Sequence, residues 1–212
     1  MLDLFGNEVT EVKKVRKDWT GDTHGVFVTV GSSNHSKEER QKEDFYATDP
    51  VAAEWLLKLE KIEGPIWEPC CGNGCLSKVF EDNGYEVKST DLVDRGYGQG
   101  GVDFLSSKIT EWGGAIVTNP PFSIAQEIIE KALSIIPVGQ KVCMFLRVLF
   151  LEGQKRRKLF NENPPKRVWV ASKRIQCAKN GAFDKVLGAA QAYAWFVWYK
   201  GFKGDPIIKW FN

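Results

Sequence analysis

The sequence predicts a doubly wound α/β domain built on a mainly parallel sheet. Three observations predict it. Apolar runs of strand length alternate with amphipathic runs of helix length from residue 45 onward, the order that a parallel sheet with crossover helices requires. Glu68, the glycines after it, Asp91, Asp103 and Asn119 stand at or just beyond the ends of such runs. Ligands of these sheets bind outside the carboxyl ends of the strands. Finally, 43% of the 212 residues are hydrophobic and 26% charged, enough for one core without disulfide or metal staples.

The elements follow in order. Residues 1–44 form an N-terminal extension: Asp18–Ser36 is rich in Gly, Ser, Thr and Asn, with one strand-like run at Val26–Val30, and Lys37–Asp44 is nearly all charged. The domain proper covers 45–212. Val51, Trp55, Leu56 and Leu59 share one face of a helix over Pro50–Ile62, with Asp49 as N-cap and Pro50 at the first helical position. Ile66–Glu68 is a short strand, Cys75–Asn83 a helix stopped at Gly84, and Tyr85–Thr90 a strand ending at Asp91. Val102–Leu105 follows a Gly-rich stretch, Ala115–Thr118 is a strand, and Ser123–Ile136 is a helix ended by Pro137. Lys141–Leu149, Arg167–Ala171 and Ala190–Tyr199 complete the strands.

No apolar run approaches the ~20 residues of a membrane helix. The longest, Val142–Leu151, is broken by Arg147. The first ten residues lack a signal-peptide pattern, so the expectation is a cytoplasmic protein. Nothing points to a membrane or to an obligate protein partner. The five cysteines are odd in number, and Cys70, Cys71 and Cys75 cluster without a C-x-x-C pair or a nearby histidine. Small residues under a tight turn are expected there, not metal ligands. The net charge of +2 is uneven: Glu152–Lys185 holds ten Lys/Arg against three Asp/Glu, a local +7 that leaves −5 for the rest. Such a segment suits a polyanionic partner, or else a solvated helix face.

Glu68-Pro-Cys70-Cys-Gly72-Asn-Gly74 joins a strand to a helix. Gly72 and Gly74 are expected where a ligand approaches the backbone, beside free N–H groups of the helix start. Glu68 would repel a pyrophosphate but suits a ligand bearing an ammonium and a sulfonium, which favours S-adenosylmethionine over a dinucleotide. Asp91, 23 residues after Glu68, is placed to accept ribose hydroxyls. Asp103 suits an adenine amino group and Phe104 suits stacking on its ring. Gly96-Tyr-Gly-Gln-Gly-Gly101 matches a dinucleotide fingerprint only formally, since it does not lead from a strand into a helix; a flexible connection is expected.

Asn119-Pro120-Pro121-Phe122 is the most specific signal. The prolines stiffen the chain past a strand end and direct two acceptors outward, the Asn119 side-chain oxygen and the Pro120 carbonyl. Two acceptors suit the two hydrogens of an NH2 group, and Phe122 suits a planar ring. Residues 45–210 resemble the amino-methyltransferases of DNA bases, whose tetrapeptide is Asp/Asn/Ser-Pro-Pro-aromatic; the Asn form resembles the adenine N6 members. The resemblance implies a Rossmann-like S-adenosylmethionine-dependent fold with an antiparallel last strand, and a target base flipped out of the duplex. It also implies that the segment from Phe45 to Pro50, with Tyr46 and Thr48, closes over the cofactor, with Cys70 where many members carry an aromatic residue. Ser172-Lys173-Arg174 through Gly181-Ala-Phe183 falls where such enzymes place a loop near the base. Lys155, Arg156, Arg157, Lys173 and Arg174 are then the expected phosphate contacts. The chain resembles compact, stand-alone phage and mobile-element methylases. An RNA base or a protein glutamine is the alternative substrate, and a non-enzymatic nucleic-acid-binding domain on the same fold the alternative class.

Overall fold

A computed structural model of the chain describes residues 46–179 and 191–212. The extension expected over residues 1–44 and the Gly181–Phe183 segment lie outside the described residues. The elements are β1 (Tyr46–Thr48), α1 (Val51–Leu59), β2 (Ile66–Glu68), α2 (Cys75–Asp82), β3 (Val87–Ser89), β4 (Ala115–Thr118), α3 (Ala125–Ile135), β5 (Lys141–Arg147), α4 (Arg157–Glu162), β6 (Arg167–Ala171), β7 (Cys177–Lys179), β8 (Tyr193–Tyr199) and β9 (Ile207–Phe211). Seven strands form one sheet in the order β3-β2-β4-β5-β8-β6-β9, while β1 and β7 form a separate antiparallel pair. β3, β2, β4 and β5 run parallel; β8 is antiparallel to both β5 and β6, and β9 is parallel to β6. The expected antiparallel strand is therefore β8. The chain leaves β2 toward β3 on one side and toward β4 and β5 on the other, so the order reverses between β2 and β4, which is where such sheets open a ligand crevice.

Both faces of the sheet are covered, which explains why its strands read as unbroken apolar runs. In β5, Val142, Met144 and Leu146 join one core, while Cys143 and Phe145 join the other; β8 splits in the same way, Ala194, Phe196 and Trp198 against Tyr193, Trp195 and Val197. Helices α3 and α4 cover the first face, α1 and α2 the second. Buried indoles retain hydrogen-bond partners, as they must: Trp67 donates to Thr90 Oγ1, Trp195 to the Ala52 carbonyl and Trp198 to the Asn163 carbonyl.

The helix ends follow the local sequence. Asp49 Oδ1 accepts the Val51 N–H at 3.0 Å, as an N-cap before a proline should. Gly84, at φ +83°, ends α2 in a Schellman turn, its N–H on Glu81 O and that of Tyr85 on Phe80 O. That turn absorbs Tyr85, so β3 is shorter than the Tyr85–Thr90 run. Val102–Leu105 forms no strand: Asp103 Oδ1 accepts the Leu105 N–H, an Asx turn that takes the backbone out of any ladder. The Gly96–Gly101 connection is also tied down, its Gln99 exchanging hydrogen bonds with Asp91 and Ser89. Among the described residues no helix is long and apolar enough to cross a membrane.

Candidate functional site

One cavity of about 280 Å³ opens at the carboxyl ends of β2 and β4. At one side it is lined by Glu68 and Cys70 from the loop after β2, Asp91 after β3, and Asp103 and Phe104. At the other it is lined by Asn119-Pro120-Pro121-Phe122, with Tyr46 and Thr48 of β1. Residues far apart in sequence thus share one space, and they are the residues in which the sequence signals coincided. Gly72 and Gly74 support this wall without lining it.

The cofactor-side acids are held rather than free. Asp91 Oδ2 accepts the Gly72 N–H at 2.8 Å and Oδ1 accepts the Val93 N–H at 2.9 Å, so this carboxylate locks the glycine loop to the end of β3. A carboxylate has about four lone-pair sites, which leaves acceptor capacity for a ribose. Phe104 packs edge-on against Trp67 at 5.1 Å and is almost wholly buried, so only part of its ring meets the cavity. Glu68 is buried and accepts from Ser77 Oγ, which also meets Ser89 Oγ. Burial pushes its carboxyl up to about 8, the Ser77 hydrogen bond opposing.

Two details concern the loop after β2. Gly74, at φ +81°, is needed because the Tyr97 ring lies on it: a Cβ there would sit 2.5 Å from that ring. At Gly74 the protein itself therefore makes a close approach to the backbone. The clustered cysteines are absorbed by the same loop, Cys71 Sγ on the Gly72 and Tyr97 carbonyls and Cys75 Sγ on Asn73 Oδ1. Among the described residues no group of His, Cys, Asp and Glu is arranged to hold a metal ion.

At the other end, Asn119 Nδ2 donates to Thr48 Oγ1 at 2.8 Å and, more weakly, to the Tyr46 carbonyl at 3.4 Å. Asn119 Oδ1 is buried and has no hydrogen-bond partner among the described residues. A buried acceptor left unpaired costs free energy, so it marks a place where a donor from elsewhere is due. Phe122 lies beside it, with the Arg147 guanidinium 4.4 Å from its ring centroid and Tyr193 at 6.2 Å. Sequence reasoning missed Arg147 and Tyr193 as neighbours of the site; the sole signal was a charge interrupting the apolar run of β5.

The basic residues separate into two kinds. Lys155, Arg157, Lys173 and Arg174 are exposed. Arg156 instead folds back, its guanidinium on the Phe150 ring at 4.6 Å and bonded to the carbonyls of Phe150 and Glu152. Both segments leave the carboxyl ends of parallel strands, β5 and β6, on the same edge as Asn119.

No protein-family model matches the sequence, and neither does any curated protein. Solved structures do resemble it. A Pyrococcus horikoshii protein assigned as an RNA methyltransferase is 16% identical over 85% of this chain and 100% of that one, with a TM-score of 0.56. The type IIG restriction endonuclease BpuSI is 13% identical, TM-score 0.55, over 77% of this chain, which spans about a quarter (26%) of that enzyme. A protein of Listeria monocytogenes assigned as a class I S-adenosylmethionine-dependent methyltransferase is 12% identical, TM-score 0.54, over 87% of this chain and 70% of that one. At such identities the likeness is one of fold. The chain has the mixed, mainly parallel fold of the class I S-adenosylmethionine-dependent methyltransferases.

Proposed function

We propose that the chain is an S-adenosylmethionine-dependent methyltransferase of exocyclic amino groups, acting on adenine N6 in DNA. The observation that carries this reading is Asn119, a residue lining the cavity whose amide nitrogen is engaged by Thr48 and whose buried oxygen has no partner among the described residues. That is an acceptor waiting for an N–H.

S-adenosylmethionine supplies the methyl as part of a sulfonium. Asp91 is placed for its ribose and Asp103 and Phe104 for its adenine, with the Glu68 carboxyl in the same wall of the cavity. The substrate half belongs to the tetrapeptide. Phe122 stacks on the target ring, while Asn119 Oδ1 and the Pro120 carbonyl accept the two amino hydrogens. An aromatic amine is a poor nucleophile because its lone pair is delocalised into the ring. Two acceptors favour the pyramidal form, in which that lone pair is available for in-line attack. Pre-aimed dipoles and orientation supply the catalysis, and the extra proton on the methylated nitrogen leaves to water.

DNA as substrate is supported by Lys155, Arg157, Lys173 and Arg174 on the carboxyl edge of the sheet and by the adenine-type tetrapeptide. Descriptions of the fold's neighbours include an RNA methyltransferase and a restriction endonuclease, which keeps RNA as the runner-up. The test is single-turnover transfer from labelled cofactor to duplex DNA, RNA and protein, with wild type and Asn119→Ala. Transfer to DNA adenine is expected, with a loss on the order of 100-fold in Asn119→Ala and little change in cofactor affinity. A fully active Asn119→Ala enzyme would falsify the mechanism.

A further inference from the structure

We infer that Thr48 is a positioning residue for the transfer, its hydroxyl fixing the Asn119 amide so that oxygen, and not nitrogen, faces the reacting group. This rests on the amino-methyltransferase reading and adds a requirement to it. A carboxamide is nearly symmetric in shape, so a free Asn119 would present NH2 as readily as C=O. An NH2 group aimed at the target's own N–H hydrogens is useless, because both sides are donors. Something must break that symmetry.

The structure offers two groups that do. Thr48 Oγ1 takes the Asn119 Nδ2 hydrogen at 2.8 Å, and the Tyr46 carbonyl lies 3.4 Å from the same nitrogen. Turning the amide over would set Asn119 Oδ1 against that carbonyl, two acceptors facing each other without a proton between them. A hydroxyl alone could adapt by donating instead. The Tyr46 carbonyl prevents that, because it can only accept and so sets the sense of the amide; the Thr48 hydroxyl can then turn its own hydrogen to the Cys177 thiol that it also meets. With its hydrogen turned to that sulfur, Thr48 leaves lone pairs for Asn119.

Thr48 is itself held. It is buried and opposes Cys177 directly in the β1–β7 ladder. Cys177 meets Tyr193, and Tyr193 meets Arg147, whose guanidinium lies over Phe122. The two groups assigned to the substrate, the Asn119 amide and the Phe122 ring, are thus braced from behind by one chain of side chains: Thr48, Cys177, Tyr193 and Arg147. The resemblance suggests Thr48 for the cofactor; its hydrogen bond to the Asn119 amide gives it this further role.

Thr48→Val keeps the shape and removes the acceptor; Thr48→Ser keeps the acceptor. We expect Thr48→Val to lower kcat on DNA about tenfold, the effect of one lost hydrogen bond felt in the transition state. KM for DNA and calorimetric affinity for S-adenosylmethionine should stay within about twofold, and Thr48→Ser should restore the rate. Wild-type kcat in Thr48→Val overturns the inference while leaving the methyltransferase reading intact. So does a loss confined to cofactor affinity, which would return Thr48 to the cofactor site. A Thr48→Ser variant as slow as Thr48→Val also overturns it, since the role would then be one of packing. A wild-type protein that transfers nothing to DNA, RNA or protein amino groups overturns the reading on which the inference stands.

Discussion

Two buried glutamates sit at opposite edges of the sheet and are treated in opposite ways. Glu60 lies just past α1, at the edge where β5 and β6 begin and β8 ends. It accepts from Lys141 Nζ at 3.1 Å, Arg167 at 2.9 Å, Trp169 Nε1 at 2.9 Å and Tyr199 OH at 2.9 Å. Burial alone would raise its carboxyl; the hydrogen bonds from Trp169, Tyr199 and Lys141 outweigh burial and hold it below the ordinary value. Glu68, at the carboxyl edge, has only a serine for company and is pushed up to about 8 by burial. In the same cavity, Asn119 Oδ1 has no partner among the described residues. At one edge the buried carboxylate is fully paired; at the other, buried polar atoms stay unpaired among the described residues, Asn119 Oδ1 and Arg147 Nε among them. A shortage of partners inside a cavity is what a ligand site looks like before the ligand is present, whereas a complete set serves the fold alone.

The largest test of that contrast is Glu60→Ala. It strands Lys141, whose side chain is 10% exposed, and Arg167 without their anion. Breaking a buried pair from one side costs about 3–5 kcal/mol, which urea unfolding would read as a large drop in midpoint at unchanged slope. Asn119→Ala should do the reverse: a small change in stability, because it removes an unsatisfied acceptor, and a large loss of transfer. If Glu60→Ala unfolds within about 1 kcal/mol of wild type, the amino edge is not the anchor proposed here.

The two carboxyls should also give stability opposite pH dependence. The folded Glu60 carboxyl lies below its unfolded value of 4.5, so its contribution is present above that pH and fades as pH falls through the folded value. The folded Glu68 carboxyl lies near 8. Between 4.5 and about 8 the folded chain keeps a proton that the unfolded chain has released, so stability falls as pH rises through that window and levels off above it. Glu68→Gln should flatten that decline and leave the acid limb unchanged. An identical slope between pH 5 and 9 in wild type and Glu68→Gln would show that Glu68 is ionised in the folded protein.

What the sequence revealed was decided by range. Strands β2, β4, β5, β6 and β8 were legible because burial on both faces makes each a continuous apolar run. Asn119 was legible because two prolines fix its surroundings locally. Thr48, which orients it, lies 71 residues away on a three-residue strand paired with another from the far end of the chain, and no local pattern announces such a pairing. β9 was overlooked because it pairs along one edge only, and Ile207, Ile208 and Trp210 remain exposed, which leaves little of the alternation that marks a half-buried strand. Gly74 shows a different limit: a glycine signals that something comes close, and here it is Tyr97.

The smallest expected effect concerns charges that do nothing for the fold. Lys155 and Arg157 are exposed, and exposed charges contribute little to stability. Arg156 between them is a poor probe, since its bonds to Phe150 and Glu152 hold the turn before α4. Lys158 is already opposite Glu162 at 3.9 Å. Lys155 and Arg157 follow the carboxyl end of β5, and neutralising them in a Lys155→Gln/Arg157→Gln variant should leave urea unfolding unchanged. Each phosphate contact contributes about 0.9 to the slope of log affinity against log salt. The double variant should therefore flatten that slope by about 2 for DNA of any sequence, with kcat at saturating DNA unaltered. Glu60 then stands at the other pole, a charge spent wholly inside the protein. A double variant with the wild-type salt slope would make this segment an ordinary solvated surface and move the search for the phosphate contacts to Lys173 and Arg174.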